Sequence, residues 1–168
     1  DLIVSRGLGD VYKRQGHRNP QGMFYDEKNN KIWIHEHGPR GGDEINIIEA
    51  GENYGWPLAS YGINYIGTEF TDKTSIDGMI DPIHFWVPSI APSGMVYVDN
   101  PNYPSLNQSI LIGSLKFQYL HQCVIKDGKV VEEKKLFDQI GRVRSVELDK
   151  DKNIFVGVEN LGIIKLIE

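Results

Sequence analysis

The chain has 168 residues, of which 40% are hydrophobic and 24% are charged, and its formal net charge is −5. This is the composition of a soluble globular domain that is long enough to bury a core. Because the charge is negative and no basic cluster exceeds the Lys134-Lys135 pair, nucleic acid is not an expected partner. No apolar run predicts a membrane span. The single cysteine, Cys123, excludes an internal disulfide framework, and its alternating neighbours predict a buried strand position.

The first fifteen residues do not read like the rest of the chain. Residues 10–15, DVYKRQ, back-translate to the mosaic-end sequence of common transposon-based sequencing adapters. We therefore predict that residues 1–15 are a translated, non-native leader and that the natural chain resumes at Gly16. On this hypothesis the chain is the C-terminal part of a longer protein, and a missing signal peptide carries no information.

Beyond the leader, helical periodicity is nearly absent, and short alternating or continuous apolar runs dominate. Polar turn signals such as Asn29-Asn30 and Asp127-Gly128 separate these runs, which is typical of antiparallel strands. The pattern predicts an all-β fold with about ten strands. In chain order the predicted strands are Gly22–Tyr25, Ile32–His35, Glu44–Ile48, Gly94–Val98, Ile110–Ser114, Leu120–Lys126, Lys129–Glu133, Val143–Leu148, Ile154–Val158 and Ile163–Ile167.

Two pairs of segments resemble each other. Residues 20–25 (PQGMFY) are similar to residues 92–97 (PSGMVY), and residues 26–34 (DEKNNKIWI) are similar to residues 149–156 (DKDKNIFV). Each copy supplies a strand, a polar turn and a second strand, as in the inner hairpin of a propeller blade. The repeats favour a β-propeller over a plain sandwich, with convergent hairpin composition as the alternative explanation.

Residues 50–92 carry little strand signal and are rich in glycine and proline. A loop of this length in a compact domain usually has a function. Its aromatic side chains either form one wall of a binding cleft or only pin the loop to the domain. These side chains are Tyr54, Trp56, Tyr61, Tyr65, Phe85 and Trp86.

Residues 35–44 read HEHGPRGGDE and allow three interpretations. In an extended strand, His35 and His37 share a face and could ligate zinc. That interpretation is disfavoured because the remaining histidines, His17, His84 and His121, are isolated in the sequence.

The second interpretation of this stretch uses its backbone. Gly38-Pro39 forces a turn and leaves carbonyl groups facing outward, and Asp43 and Glu44 are close in sequence. Carbonyl and carboxylate oxygens suit a hard cation such as Ca²⁺. The third interpretation is a solvated polar turn without a ligand.

Cationic and amide side chains occur at several predicted strand ends. Arg18 and Asn19 precede the first strand and could hold an anion, and Lys116 follows another strand. Arg142 and Arg144 share a strand face, which is unfavourable unless an anion lies between them or solvent screens them. Each position alone is most simply a solvated surface charge, but together they indicate a polyanionic ligand.

Seven motifs in order are similar to those of a known family: GHRNPQGM, HEHGPRGGDEINII, NYGWP, SYGINY, VPSIAPSGM, SLK and GRVRSV. They resemble the pyrroloquinoline-quinone-dependent aldose sugar dehydrogenases of the glucose/sorbosone dehydrogenase superfamily. The resemblance implies that residues 16–168 form the C-terminal part of a six-bladed β-propeller, with about three or more blades of four-stranded antiparallel sheets. It also implies a periplasmic or secreted parent enzyme that oxidises aldose sugars to lactones with pyrroloquinoline quinone (PQQ) and Ca²⁺ and uses an external electron acceptor.

The resemblance also implies roles for individual residues. The positions that match cofactor contacts are Arg18, Asn19, Tyr65, Lys116, Phe117, Gln118, Arg142 and Arg144. The carbonyls of Gly38 and Pro39 match ligands of the calcium ion at the cofactor, and Glu44 and Tyr54 match ligands of a separate structural calcium. His84, Trp86 and Ser89 match the lining of the pocket.

The catalytic histidine of the family and a cofactor-contacting glutamine precede the GHRNPQG motif, so no catalytic residue is expected in this chain. His17 belongs to a different motif and does not replace that base. We therefore expect these 168 residues to be inactive alone and the parent protein to be an enzyme. The alternatives are a non-catalytic propeller of the same superfamily that binds a protein or glycan, and an unrelated calcium-binding β-domain.

Overall fold

A computed structural model describes residues 15–168, and residues 1–14 of the predicted leader lie outside this range. The described part contains eleven β-strands and no α-helix. It therefore has no helix long and apolar enough to cross a membrane. The strands are β1 (Pro20–Asp26), β2 (Lys31–Glu36), β3 (Asp43–Ile48), β4 (His84–Trp86), β5 (Pro92–Val98), β6 (Ser109–Ser114), β7 (Leu120–Lys126), β8 (Lys129–Leu136), β9 (Val143–Leu148), β10 (Ile154–Val158) and β11 (Gly162–Lys165).

The strands form three antiparallel sheets in which sequence neighbours pair. The first sheet has the order β1-β2-β3-β4, the second β5-β6-β7-β8, and the third β9-β10-β11. The first strands of the sheets are neighbours, since β1 contacts β5 and β5 contacts β9. Sheets that meet along their first strands and fan outward are the blades of a propeller. The predicted all-β, partial-propeller fold is confirmed.

Each of the ten predicted strands corresponds to a strand of the structure, and β4 is the addition. This strand of three residues lies in the long loop and pairs with β3, with Asp43 opposite Trp86 and Ile45 opposite His84. Sequence periodicity could not reveal it, because three residues are too few for an alternating pattern. Its pairing gives the first sheet its fourth strand.

The core consists of two clusters, one at each interface between successive sheets. Along β6, Ile110 and Ile112 pack towards the first sheet beside Trp33 and Ile45. Leu111, between them, packs on the opposite face in the cluster that includes strands of the third sheet. Because side chains alternate across a strand, a strand covered on both faces buries every residue. All six residues of β6 are buried accordingly.

The repeated motif has a physical cause at its glycines, Gly22 in β1 and Gly94 in β5. A Cβ atom at Gly22 would lie 2.8 Å from the Ser93 carbonyl oxygen, and a Cβ atom at Gly94 would overlap the backbone nitrogen of Val146. Each glycine therefore faces the backbone of the next sheet. Only a residue without a side chain allows this approach between first strands.

We predict that Gly94→Ala destabilises the protein. The new methyl group would meet the Val146 nitrogen and the Ser145 Cα, the latter at 2.7 Å, and backbone atoms cannot rotate away. Overpacking of this kind costs about 1–3 kcal/mol, measurable by urea unfolding. The matched control is Gly157→Ala, whose methyl group meets the rotatable Ser145 hydroxyl. Equal stability of the two variants would contradict the prediction.

Candidate functional site

A buried carboxylate at the end of β2 holds the segment that precedes β1. Glu36 is 3% exposed. Its Oε2 accepts hydrogen bonds from the backbone N–H groups of Arg18 (2.6 Å) and Asn19 (3.2 Å). Its Oε1 lies 2.7 Å from His17 Nδ1 and accepts a hydrogen bond from Asn46 Nδ2 at 3.3 Å. Four polar groups therefore satisfy the buried charge.

Once its backbone is held, the Arg18 side chain reaches the turn after β2. Its Nη1 donates to the carbonyls of His37 (3.0 Å) and Gly38 (2.9 Å). The guanidinium carbon lies 5.5 Å from the centre of the Trp56 ring and 6.0 Å from that of Tyr65. The guanidinium is thus positioned by two carbonyls and two aromatic faces.

A second buried carboxylate organises the turn at residues 38–42. Asp43 Oδ1 accepts a hydrogen bond from Gly38 N (3.0 Å), and its Oδ2 accepts one from Ala91 N (2.8 Å). The turn is compact, because a Cβ atom at Gly38 would overlap the carbonyl oxygens of Gly41 and Gly42. Asp43 therefore ties the turn to the segment that enters β5.

An open cleft of about 790 Å³ lies against this turn. Predicted residues that line it are Gly38, Pro39, Tyr65, Ser89 and Lys116, and Arg40 and Asp43 line it as well. Both carboxylate oxygens of Asp43 are already hydrogen-bonded, whereas the side chains of Arg40 and Lys116 form no salt bridge with a described residue. The cleft therefore favours an anionic ligand.

The remaining predicted cofactor contacts do not line this cleft. Asn19 is exposed and accepts a hydrogen bond from Gln21. Phe117 is half-buried and stacks on Tyr119 at 6.0 Å, and Gln118 is exposed in a turn with φ of 59°. Arg18 borders the cleft indirectly, with Nη2 at 3.4 Å from the Tyr65 hydroxyl.

Arg142 and Arg144 both contact the carboxylate of Glu159, a residue of the same chain. The Glu159 carboxylate lies 3.6 Å from Arg142 Nε and 2.7 Å from Arg144 Nη2. The hydrogen bond from Arg144, with the charges of both arginines, lowers the pKa of Glu159. The Glu159 carboxylate, in the turn after β10, therefore neutralises the two cations, and their predicted contact with a cofactor stays a prediction.

Glu44 and Tyr54 together border two small cavities of about 10 Å³ each. Burial, and next the charge of Glu36, raise the pKa of Glu44 to about 8. A cavity of this size holds one water molecule or ion. The Tyr54 hydroxyl already donates to Ile47 O (2.8 Å) and accepts from Glu49 N (2.7 Å), whereas its backbone carbonyl accepts no hydrogen bond from the described residues. Asp81 borders one cavity, and this set of oxygens fits calcium.

The histidines of the HEHGPRGGDE stretch do not form a metal site with each other. Burial lowers the pKa of His35 to about 4, so its ring is neutral at pH 7. His37 Nε2 instead contacts the carbonyl of Pro92 at 2.7 Å. Within residues 15–168, neither ring belongs to a cluster of metal-ligating groups.

Two of the three residues expected to line the pocket lie elsewhere. Ser89 lines the cleft, but His84 and Trp86 do not. Both contact Glu133 between the first and second sheets, with Trp86 Nε1 donating at 2.7 Å. The hydrogen bond from His121, and next the contact with His84, hold the pKa of Glu133 well below its usual range. In this structure β4 turns the His84 and Trp86 side chains towards the second sheet, and their place in the pocket of the family stays a prediction.

Sequence reasoning missed the structural roles of Glu36 and Asp43. Both flank the glycine-rich turn, and both accept hydrogen bonds from backbone N–H groups. A carboxylate directly beside an apolar strand and a glycine turn was the available signal, because unpaired backbone donors near a turn need an acceptor.

The sequence model of the family described as "Glucose / Sorbosone dehydrogenase" matches residues 8–165. The chain belongs to this family. The match begins inside the predicted leader, and the boundary at residue 15 stays a prediction.

Individual proteins that are similar to the chain in sequence or structure are dehydrogenases with related names. The chain is 40% identical over 144 residues to the aldose sugar dehydrogenase YliI of Escherichia coli (strain K12), covering 84% of the chain and 39% of the relative. Over 47 residues it is 55% identical to quinoprotein glucose dehydrogenase B of Acinetobacter calcoaceticus, covering 27% of the chain and 10% of the relative. A crystal structure of a glucose dehydrogenase superposes with a TM-score of 0.85 at 39% identity, covering 91% of this chain and 46% of that one. The chain thus spans less than half the length of these relatives.

Glu36→Gln is expected to loosen the segment around Arg18. The new amide group places a donor where two N–H groups and His17 now meet oxygen atoms. An unsatisfied buried group costs about 1–3 kcal/mol, and the Arg18 and Asn19 amide protons should exchange faster with solvent. The control is Glu49→Gln, since the exposed Glu49 carboxylate lies 3.8 Å from Lys31 Nζ and such pairs contribute little. Unchanged exchange at Arg18 in Glu36→Gln would refute the role.

The raised pKa of Glu44 predicts a pH dependence in calcium-free buffer. Between the ordinary pKa of 4.5 and the folded value of about 8, the folded state holds a proton that the unfolded state releases. The free energy of unfolding should therefore fall as pH rises from about 5 to 8. Urea unfolding of Glu44→Gln should show a flatter profile over this range. If the free energy of unfolding of the wild type instead rose between pH 5 and 8 relative to that of Glu44→Gln, the raised pKa of Glu44 would be contradicted.

Proposed function

We propose that the parent of this chain is a PQQ- and calcium-dependent aldose dehydrogenase, and that these residues form part of its cofactor site. The cleft carries the proposal. It brings Gly38, Pro39, Tyr65 and Lys116 to one surface, although they come from three separate motifs. The names of the sugar dehydrogenase and quinoprotein relatives support the same activity.

The residues of the cleft fit the cofactor chemically. PQQ is a planar tricarboxylate, which calls for cations and a flat apolar surface. Lys116 and Arg40 supply positive charge, and Tyr65, which is 70% exposed, presents an uncovered ring. Arg18 lies next to that ring.

The backbone of the turn fits a calcium ion. The Pro39 carbonyl accepts no hydrogen bond from the described residues. The Gly38 carbonyl accepts one from Arg18 at 2.9 Å and keeps a second lone pair. Because Asp43 holds Gly38 N, the turn is ordered before any ion binds.

The protein residues would act mainly by binding and orientation. When bound, the quinone accepts the electrons of the sugar, and calcium polarises its carbonyl. Lys116 and Arg18 would neutralise carboxylates, and Tyr65 would orient the ring plane. Arg142 and Arg144 would have to leave Glu159 to take part.

A proton acceptor for the sugar is expected outside this chain. His37 is the histidine that lines the cleft, and its Nε2 is already engaged with the Pro92 carbonyl at 2.7 Å. From the resemblance to the family, we propose that the base lies in an earlier blade of the parent. We further propose an external electron acceptor and a periplasmic or secreted location for that parent.

We expect this chain to bind the quinone without oxidising a sugar. The 168 residues with PQQ and Ca²⁺ should show a calcium-dependent absorbance change of the quinone but no aldose-dependent dye reduction, whereas the parent should show both. In the parent, Lys116→Ala should weaken quinone binding about 10-fold or more, since a charge-assisted contact contributes about 1.5–3 kcal/mol. Lys126→Ala, at the exposed end of β7, is the control.

Two results would contradict the proposal. Dye reduction by the 168 residues would show that no upstream base is needed. A folded parent that binds no quinone would instead favour a non-catalytic propeller that recognises a protein or glycan.

A further inference from the structure

A second group of reactive side chains lies between the first and second sheets. Cys123 in β7 is directly opposite Glu133 in β8. His121 lies two residues before Cys123, so its side chain projects from the same face of the sheet. His84 in β4 approaches this face from the first sheet. Three strands thus bring two imidazoles, a thiol and a carboxylate together.

The ligating atoms of His121, Cys123 and Glu133 converge closely, and His84 lies outside that set but approaches Glu133. His121 Nε2 lies 2.6 Å from Glu133 Oε2, and His84 Nε2 lies 3.2 Å from the same oxygen. The ligating atoms of His121, Cys123 and Glu133 all lie within 4.8 Å of one another. Among the described residues, no other three or more histidine, cysteine and acidic side chains have their ligating atoms this close together.

Hydrogen bonding alone accounts poorly for this arrangement. Trp86 Nε1 also donates to Glu133 Oε2 at 2.7 Å, so Trp86 and His121 occupy both lone pairs of that oxygen. His84 Nε2 is buried and has no hydrogen-bond partner, despite its distance of 3.2 Å from the carboxylate. A buried ring nitrogen that points at a carboxylate without a hydrogen bond has the lone pair that a cation would use.

The four side chains of this group differ in their exposure to solvent. Cys123 is completely buried, and the side chains of His121, His84 and Glu133 are 5%, 19% and 36% exposed. A bound ion would therefore be shielded on the Cys123 side and could enter past Glu133. Such an entry path is a requirement of a protein metal site.

We propose that His84, His121, Cys123 and Glu133 bind one divalent transition-metal ion of the zinc type. Two imidazole nitrogens, one sulfur and one carboxylate oxygen are the ligands that zinc prefers, and four protein ligands make a closed, structural site. On binding, the Cys123 thiol releases its proton to solvent. The thiolate and the carboxylate then balance the two positive charges of the ion, which lowers the cost of burying it.

The hydrogen bond from Trp86 to Glu133 also has a role in the proposed metal site. Trp86 Nε1 donates to the Glu133 carboxylate and would orient that ligand, as partners behind metal ligands commonly do. Because His84 and Trp86 lie on β4, the ion would fasten the shortest strand of the first sheet to the second sheet. None of the four ligands lines the cleft, so the inference is independent of the proposed function.

Cobalt(II) is the probe of choice, because thiolate ligation gives a sulfur-to-metal charge-transfer band. The chain has one cysteine, so this band can come only from Cys123. The untagged 168-residue chain should bind one equivalent of Co²⁺ with this band and with the intense visible bands of tetrahedral cobalt. Zn²⁺ should displace the cobalt and raise the melting temperature.

Variants then test the individual ligands. Cys123→Ala should abolish the charge-transfer band, and His121→Gln and His84→Gln should each lower metal affinity about 10-fold or more. His37→Gln, a histidine outside the group, should leave the cobalt spectrum unchanged. Circular dichroism of each variant establishes that it is folded, and Glu133→Gln, at the most exposed ligand, replaces any variant that is not.

Specific results would overturn the site. A folded chain that binds Co²⁺ without the sulfur band, or that binds none, has no such centre. Equal affinity in wild type, His84→Gln and His121→Gln would do the same. Quinone binding is measured separately and at different residues, so its loss or retention does not affect this outcome.

Discussion

The buried Glu36 carboxylate is the interaction on which the candidate site depends. It accepts hydrogen bonds from the N–H groups of Arg18 and Asn19 and so holds the segment before β1 against the end of β2. That placement lets the Arg18 guanidinium reach the carbonyls of His37 and Gly38. Because a buried charge without partners is costly, the carboxylate and the segment stabilise each other.

Close approach of the first strands sets the arrangement of the sheets around this site. Gly22 and Gly94 let the backbones of β1, β5 and β9 come together, so the sheets fan outward and pack through two apolar clusters. The same packing brings the ends of β2 and β6 near each other, and Lys116 therefore shares a cleft with the turn at Gly38. A widened spacing at Gly22, which faces the Ser93 carbonyl of β5, would separate these two sides.

Much of the fold and part of the site followed from sequence. Strands such as β6 and β9 were predicted because alternation and polar turns are local signals, and Gly38, Pro39, Tyr65 and Lys116 do share a cleft. The contacts of His84 and Trp86 with Glu133 did not follow from sequence, because β4 is too short to show which way its residues face. His84 and His121 are isolated in the sequence, yet both contact Glu133 in the structure.

The all-β architecture, the repeated hairpins and the family can be predicted from sequence, since each depends on periodicity, turn residues or ordered motifs. The charged groups that contact each other could be identified only in the folded chain. In the structure, Arg142 and Arg144 contact Glu159. Glu36 and Asp43 accept hydrogen bonds from backbone N–H groups. Cys123, Glu133 and two histidines lie together between two sheets. These contacts join different strands or loops, and spacing along a chain carries no information about distance between sheets.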